Sequence, residues 1–205
     1  MFIKICGITR TEDALRAAEC GADAVGFMLA ESPRRLTINQ MHKISQMIPS
    51  RIKKVGVFVN PSKQEVEAVL NLVKLDMLQF HGQEDGEFCT SFNRGYIKAI
   101  PVAGAFDIKQ FERSHPNAHA FLLDAFSENQ AGGTGTAFNW SHWPTHSGKK
   151  LILAGGLTPN NVFEAVTKTH PYGVDVSGGV EAGVKGVKNA DLIRSFVQEA
   201  RRSTI

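Results

Sequence analysis

A chain of 205 residues, 42% of them hydrophobic, has the size of one domain or at most two small ones, with enough apolar side chains for a real core. Its 23 Lys and Arg against 20 Asp and Glu leave a net charge of only +3, without the basic stripe of a nucleic-acid binder, and Phe2–Ile5, broken at Gly7, is too short for a signal peptide. No run of eighteen apolar residues offers a transmembrane helix, and Cys6, Cys20 and Cys89, an odd count without CxxC spacing, argue against a disulfide framework or zinc ribbon and for a reducing cytoplasm.

Short apolar runs alternate with amphipathic stretches along the chain. Phe2 to Ile5 is the first strand. Thr9-x-x-Glu12 reads as a capping box opening a helix with Leu15 and Ala18 on one face, ended by Gly21. Ala24 to Leu29 is the second strand, and Thr37-x-x-Gln40 opens a helix carrying Met41, Ile44 and Ile48, stopped before Pro49. Val55 to Val59 is the third strand, and Ser62-x-x-Glu65 caps a helix with Val66, Val69, Leu70 and Val73 at helical intervals. Met77 to Phe80 is the fourth, followed by a short helix around Glu84 to Phe92. Tyr96 to Ile100 is the fifth, followed by a weaker helix from Asp107 to Arg113. Ala120 to Leu123 is the sixth and Lys150 to Leu153 the seventh. Thr158-Pro159 then caps and opens a helix that buries Val162, Phe163 and Val166. Gly173 to Val176 is the eighth strand, and Asn189 caps a last helix with Leu192, Ile193, Phe196, Val197 and Ala200.

Nearly solid apolar strands are buried on both faces, and helical crossovers between consecutive strands imply parallel pairing. Eight such units predict an α/β chain folded as a single-domain (β/α)8 TIM barrel over residues 1–205. An open doubly wound sheet is the alternative; the strand count and the lack of a GxGxxG after the first strand disfavour it.

Active sites of such barrels sit at the C-terminal strand ends, so the residues just after each run are the candidates. These are Cys6-Gly7, the 30–35 segment with Arg34 and Arg35, Asn60, His81-Gly82, Asp124, Gly155-Gly156 and Ser177-Gly178-Gly179. One Gly pair is an ordinary turn. Two pairs after adjacent strands seven and eight point to a phosphate cradle, because glycine lets backbone N–H groups converge on an anion. Cys6 reads either as a buried apolar residue or as a thiolate base. Asp124 reads as a turn cap or as a carboxyl whose partial burial favours its protonated form, a general acid. The seven histidines are scattered along the chain, so no metal site is expected. Residues 125–136, with Gly132, Gly133 and Gly135, read as a linker loop or as a lid over the barrel mouth.

The strand-end motifs are KICGIT at 4–9, GADAVGF at 21–27, SPRR at 32–35, VGVFVN at 55–60, LQFHG at 78–82, LLD at 122–124, GGTGTAFNW at 132–140, LAGGLTPNNV at 153–162 and VDVSGGVE at 174–181. Together they resemble the phosphoribosylanthranilate isomerase family of tryptophan biosynthesis, nearly from end to end. The resemblance implies an Amadori rearrangement of N-(5-phosphoribosyl)anthranilate to 1-(2-carboxyphenylamino)-1-deoxyribulose 5-phosphate. It implies Cys6 as general base and Asp124 as general acid. It places the anthranilate carboxylate on Arg34, with the adjacent Arg35 as an alternative. His81 lines the site, and Gly155, Gly156, Ser177, Gly178 and Gly179 hold the phosphate. No cofactor and no metal is implied, and the partner is a small phosphorylated substrate, with no nucleic acid and no membrane, for a cytoplasmic monomer or homodimer.

Three positions depart from the family pattern. Ser177-Gly178-Gly179 stands where Ser-Ser-Gly is usual, Gly186 stands where an Asp usually follows Lys185, and Phe80 replaces a Leu, a volume change beside His81. A related histidine-pathway isomerase would carry Asp rather than Cys6 after the first strand. A non-catalytic phosphate-binding barrel would keep both Gly pairs but need neither Cys6 nor Asp124.

Overall fold

The structure, a computed structural model, describes residues 1–102, 106–124, 140 and 143–202. Eight strands close into a parallel barrel in chain order: β1 (Phe2–Ile5), β2 (Ala24–Met28), β3 (Lys53–Phe58), β4 (Met77–Phe80), β5 (Tyr96–Pro101), β6 (Ala120–Asp124), β7 (Lys150–Ala154) and β8 (Gly173–Val176). The ring is closed by β1 on β8, with Lys4 opposite Asp175 and Ile5 opposite Val176. Seven α-helices stand among the described residues: α1 (Thr11–Glu19), α2 (Ile38–Met47), α3 (Lys63–Leu72), α4 (Gly86–Thr90), α5 (Ile108–Ser114), α6 (Val162–Thr169) and α7 (Ala190–Arg202). Of these, none is long and apolar enough to cross a membrane. The expected lid, residues 125–136, lies outside the described residues.

Alternation along the strands sorts their side chains into two cores. Ile97, Ala99, Ala120, Leu122, Ile152 and Ala154, with Phe2 and Met77 against them, form a small cluster contributed by strands alone, which is the barrel interior. The intervening residues, such as Ile5, Phe27, Phe58, Phe80, Phe121 and Leu153, join a larger cluster with helix residues such as Met41, Val66, Val166 and Phe196. Phe80 belongs to this outer layer. It packs against Phe58, Phe88, Phe92 and Tyr96 at centroid distances of 5.8–6.1 Å, so its extra volume goes under the helices and not into the site beside His81.

Local signals set most helix starts. Both expected capping boxes form at α2 and α3: Thr37 accepts from the Gln40 amide and Ser62 from the Glu65 amide, each with the reciprocal bond. Asn189 Oδ1 accepts from the amides of Asp191 and Leu192 and caps α7. Two starts differ. The Thr9 hydroxyl does not cap α1 but donates to the Gly186 carbonyl at 2.6 Å, and α1 begins at Thr11 beneath an Arg10–Asp13 pair. Thr158-Pro159 forms a preceding turn instead of the first helical residues. Its Thr158 amide donates to Asn161 Oδ1, and α6 starts at Val162. Glu84 likewise stays out of α4, which Asp85 caps. Its buried carboxylate instead accepts from the amides of Asn60 and Gly82 and pairs with Lys98 of β5 at 3.1 Å, tying three strand ends together.

Candidate active site

The first half of the site is built on β1. Pleat alternation points Lys4 and Cys6 into the barrel on the same side as Phe2. Across from them Gly26 of β2 is required for space, since a Cβ there would stand 2.7 Å from Cys6 Sγ and 3.1 Å from Lys4 Cε. Lys4 is fully buried and its Nζ lies 2.8 Å from Asp175 Oδ1. Burial pushes the Cys6 thiol up from its ordinary value, while the positive charges of Lys4 and Lys188 pull the other way. Gly7 follows at φ +71°, and the Arg34 side chain crosses over it.

The second half is the end of β6. Asp124 Oδ2 lies 3.2 Å from His81 Nε2, the residue just beyond β4. The His81 Nδ1 lies 3.3 Å from Gln79 Nε2; with that amide nitrogen donating, the ring proton sits on Nε2, the nitrogen that faces the carboxylate. Gln79 is buried inside the barrel, and its Oε1 has no partner among the described residues. On the ring, only β8 and β7 separate Cys6's strand from Asp124's. The thiol and the carboxyl therefore face one mouth from different sides.

The third part is a glycine-lined wall over β7 and β8. Gly155 and Gly156 both take positive φ, +86° and +64°. Ser177 leads into a 3-10 turn, Gly178–Val180. A Cβ on Gly179 would collide with the Leu157 carbonyl, so the two glycine pairs are pressed together into a single cradle. Gly178 is different: its nearest neighbours to an added Cβ would be Arg34 Nη2 at 3.6 Å and Glu181 Oε2 at 4.0 Å.

Arg34, and not the exposed Arg35, reaches the site. Its Nε and Nη2 grip Glu181 in a fork of 2.6 and 2.8 Å. Lys188, almost fully buried, adds its ammonium to Glu181 at 3.1 Å and to the Ser177 carbonyl at 3.1 Å. Burial alone would raise the Glu181 carboxyl, but hydrogen bonds from Arg34 and the Gly186 amide, with the charge of Lys188, bring it down to about 2. The missing Asp at 186 is thereby replaced as an anchor. The 181–188 loop is held by Thr9 on the Gly186 carbonyl, by Glu181 on the Gly186 amide, and by Asp13 on the Lys188 amide.

Five of these groups escape a reading confined to strand ends: Lys4, Gln79, Asp175, Glu181 and Lys188. A charge inside an apolar strand, as at Lys4 and Asp175, was the available signal, because such a group needs a partner. Asn60 was a candidate and proves structural, its Oδ1 accepting from the Gln83 amide. Among the described residues no group of three His, Cys, Asp or Glu could hold a metal ion.

A profile of the N-(5'-phosphoribosyl)anthranilate (PRA) isomerase family matches residues 3–199. The N-(5'-phosphoribosyl)anthranilate isomerase of Pseudomonas aeruginosa strain LESB58 is 50% identical over 200 residues, covering 97% of this chain and 94% of its own. The phosphoribosyl anthranilate isomerase structure from Thermotoga maritima superposes with a TM-score of 0.88 at 37% identity, covering 98% of this chain and 99% of its own. A second structure, at 34% identity and a TM-score of 0.80 over 98% and 99% of the two chains, is a phosphoribosyl anthranilate isomerase in complex with reduced 1-(o-carboxyphenylamino)-1-deoxyribulose 5-phosphate.

Proposed function

The chain belongs to the phosphoribosylanthranilate isomerase family, and on that premise we propose that Cys6 is the general base and Asp124 the general acid of its reaction. It catalyses the Amadori rearrangement of N-(5-phosphoribosyl)anthranilate to 1-(2-carboxyphenylamino)-1-deoxyribulose 5-phosphate, a step of tryptophan biosynthesis. The observation that carries the assignment is the convergence of three groups on one mouth: a thiol after β1, a carboxyl after β6 and the glycine cradle after β7 and β8.

Asp124 protonates the furanose ring oxygen as the ring opens to an iminium. His81 Nε2–H holds Oδ2 and leaves Oδ1 to deliver the proton. The Cys6 thiolate removes the proton from C2, giving an enolamine that tautomerises to the aminoketose. Ser177, Gly178 and Gly179, with Gly155 and Gly156, receive the phosphate. The anthranilate carboxylate takes the Nη1 side of Arg34, the edge that the Glu181 fork leaves over. The protein works without a cofactor, as a monomer or homodimer; one T. maritima relative is described as dimeric. Free thiols at Cys6, Cys20 and Cys89 support the cytoplasm as its compartment.

Decay of substrate fluorescence, followed on freshly generated phosphoribosylanthranilate, tests the assignment. Cys6→Ala and Asp124→Asn are each expected to lose kcat by about 10²-fold or more with the circular dichroism spectrum intact. Near-wild-type turnover in a folded variant would overturn that residue's role. Decay no faster than the spontaneous rate in the unmodified protein would support the binding-barrel reading.

A further inference from the structure

The mechanism leaves the buried Lys4–Asp175 pair unused. The barrel interior holds the apolar cluster of Ile97, Ala99, Ala120, Leu122, Ile152 and Ala154 together with Gln79, yet Lys4 and Asp175 face each other there as ions on adjoining strands. An apolar pair of similar volume would fill the same space without the desolvation cost of two ions. What distinguishes this location is its upper neighbour. Cys6 is the next inward residue on β1, and Gly26 leaves no side chain between Lys4 and the thiol.

We propose that Lys4 is a positioning residue for the catalytic thiol: clamped by Asp175, its ammonium faces Cys6 from below and stabilises the thiolate that abstracts the substrate proton. The proposal rests on the base role of Cys6 given above. Four charged groups act on that thiol. Lys4 of β1 and Lys188 favour the thiolate, Asp175 of β8 opposes it, and Arg34 lies close enough to feel its charge. Burial of Cys6 opposes ionisation most strongly and leaves the thiol above its ordinary value, so a cation fixed beside it offsets part of that cost and enlarges the thiolate fraction that can act as base. Asp175 then has two opposed effects. It keeps the Lys4 ammonium charged in a dry interior, and its own negative charge weighs against the thiolate.

That opposition supplies the test. The intact native protein is titrated with iodoacetamide across pH, and alkylation of Cys6 is followed by peptide mass spectrometry, with Cys20 as the internal control. Lys4→Met is expected to raise the midpoint of Cys6 alkylation by about one unit, slowing the reaction about tenfold at a pH below it. Asp175→Asn is expected to lower the midpoint. The limb of the kcat/KM profile that reports the base moves the same way in each variant. A purely structural pair would disturb packing in both variants and shift both midpoints alike. An unmoved midpoint in Lys4→Met, or shifts of one sign in the two variants, overturns the proposal. Because alkylation reads the thiol without turnover, a failure here is separate from retained activity in Cys6→Ala, which would instead remove the base role itself.

Discussion

Glu181 organises more of the site than any residue the strand ends announce. It receives Arg34 in a fork, the Lys188 ammonium and the Gly186 amide, so it fixes the guanidinium proposed to meet the substrate carboxylate. Glu181→Gln is expected to raise KM severalfold with a smaller effect on kcat, measured by steady-state kinetics. Its carboxyl falls from an ordinary 4.5 to about 2 on folding. A group lowered in this way stabilises the fold fully above the unfolded value and loses that contribution as pH falls from 4.5 towards 2. Urea midpoints across that window should drop more steeply in the unmodified protein than in Glu181→Gln. Gly178 gives the complementary case. Its backbone is not in the left-handed region and an added Cβ meets nothing closer than 3.6 Å, so Gly178→Ser fits. The new hydroxyl is expected to lower KM a few-fold, about the worth of one hydrogen bond, with kcat unchanged.

The elements show where sequence reading succeeds and why it stops. β1, β4 and β8 end where their apolar runs end, although each holds one buried polar residue, Lys4, Gln79 and Asp175, because burial on both faces keeps the rest of each run apolar up to its end. The boxes at Thr37 and Ser62 form because both partners lie three residues apart and face solvent. Thr9-x-x-Glu12 carries the same pattern and fails. Its hydroxyl is drawn off by the Gly186 carbonyl, 177 positions away, which no local window contains. Cys6, Asp124, Arg34 and both glycine pairs were legible because strand ends are punctuated by residues that sheets do not need. Lys4, Asp175 and Lys188 were not, since their meaning lies in contacts 171 and 175 residues apart along the chain. Phe80→Ala empties the centre of an aromatic cluster and should cost about 3–5 kcal/mol by urea denaturation. Asn189→Ala removes the α7 cap and should cost about 1 kcal/mol in the same measurement.

At the scale of the molecule the ring closes only when β8 reaches β1, and that seam runs beside the Cys6 thiol. The partners of Cys6 and Arg34 on the seam, Asp175, Ser177, Glu181 and Lys188, all come from the last thirty or so residues. During synthesis, then, the first catalytic group to leave the ribosome is among the last to be enclosed, and it waits as an open thiol while seven strands are made. The long separation also makes closure a late step in folding. Any truncation upstream of Gly173 removes β8 and, with it, Asp175, Ser177, Glu181 and Lys188, and leaves β1 without its second neighbouring strand.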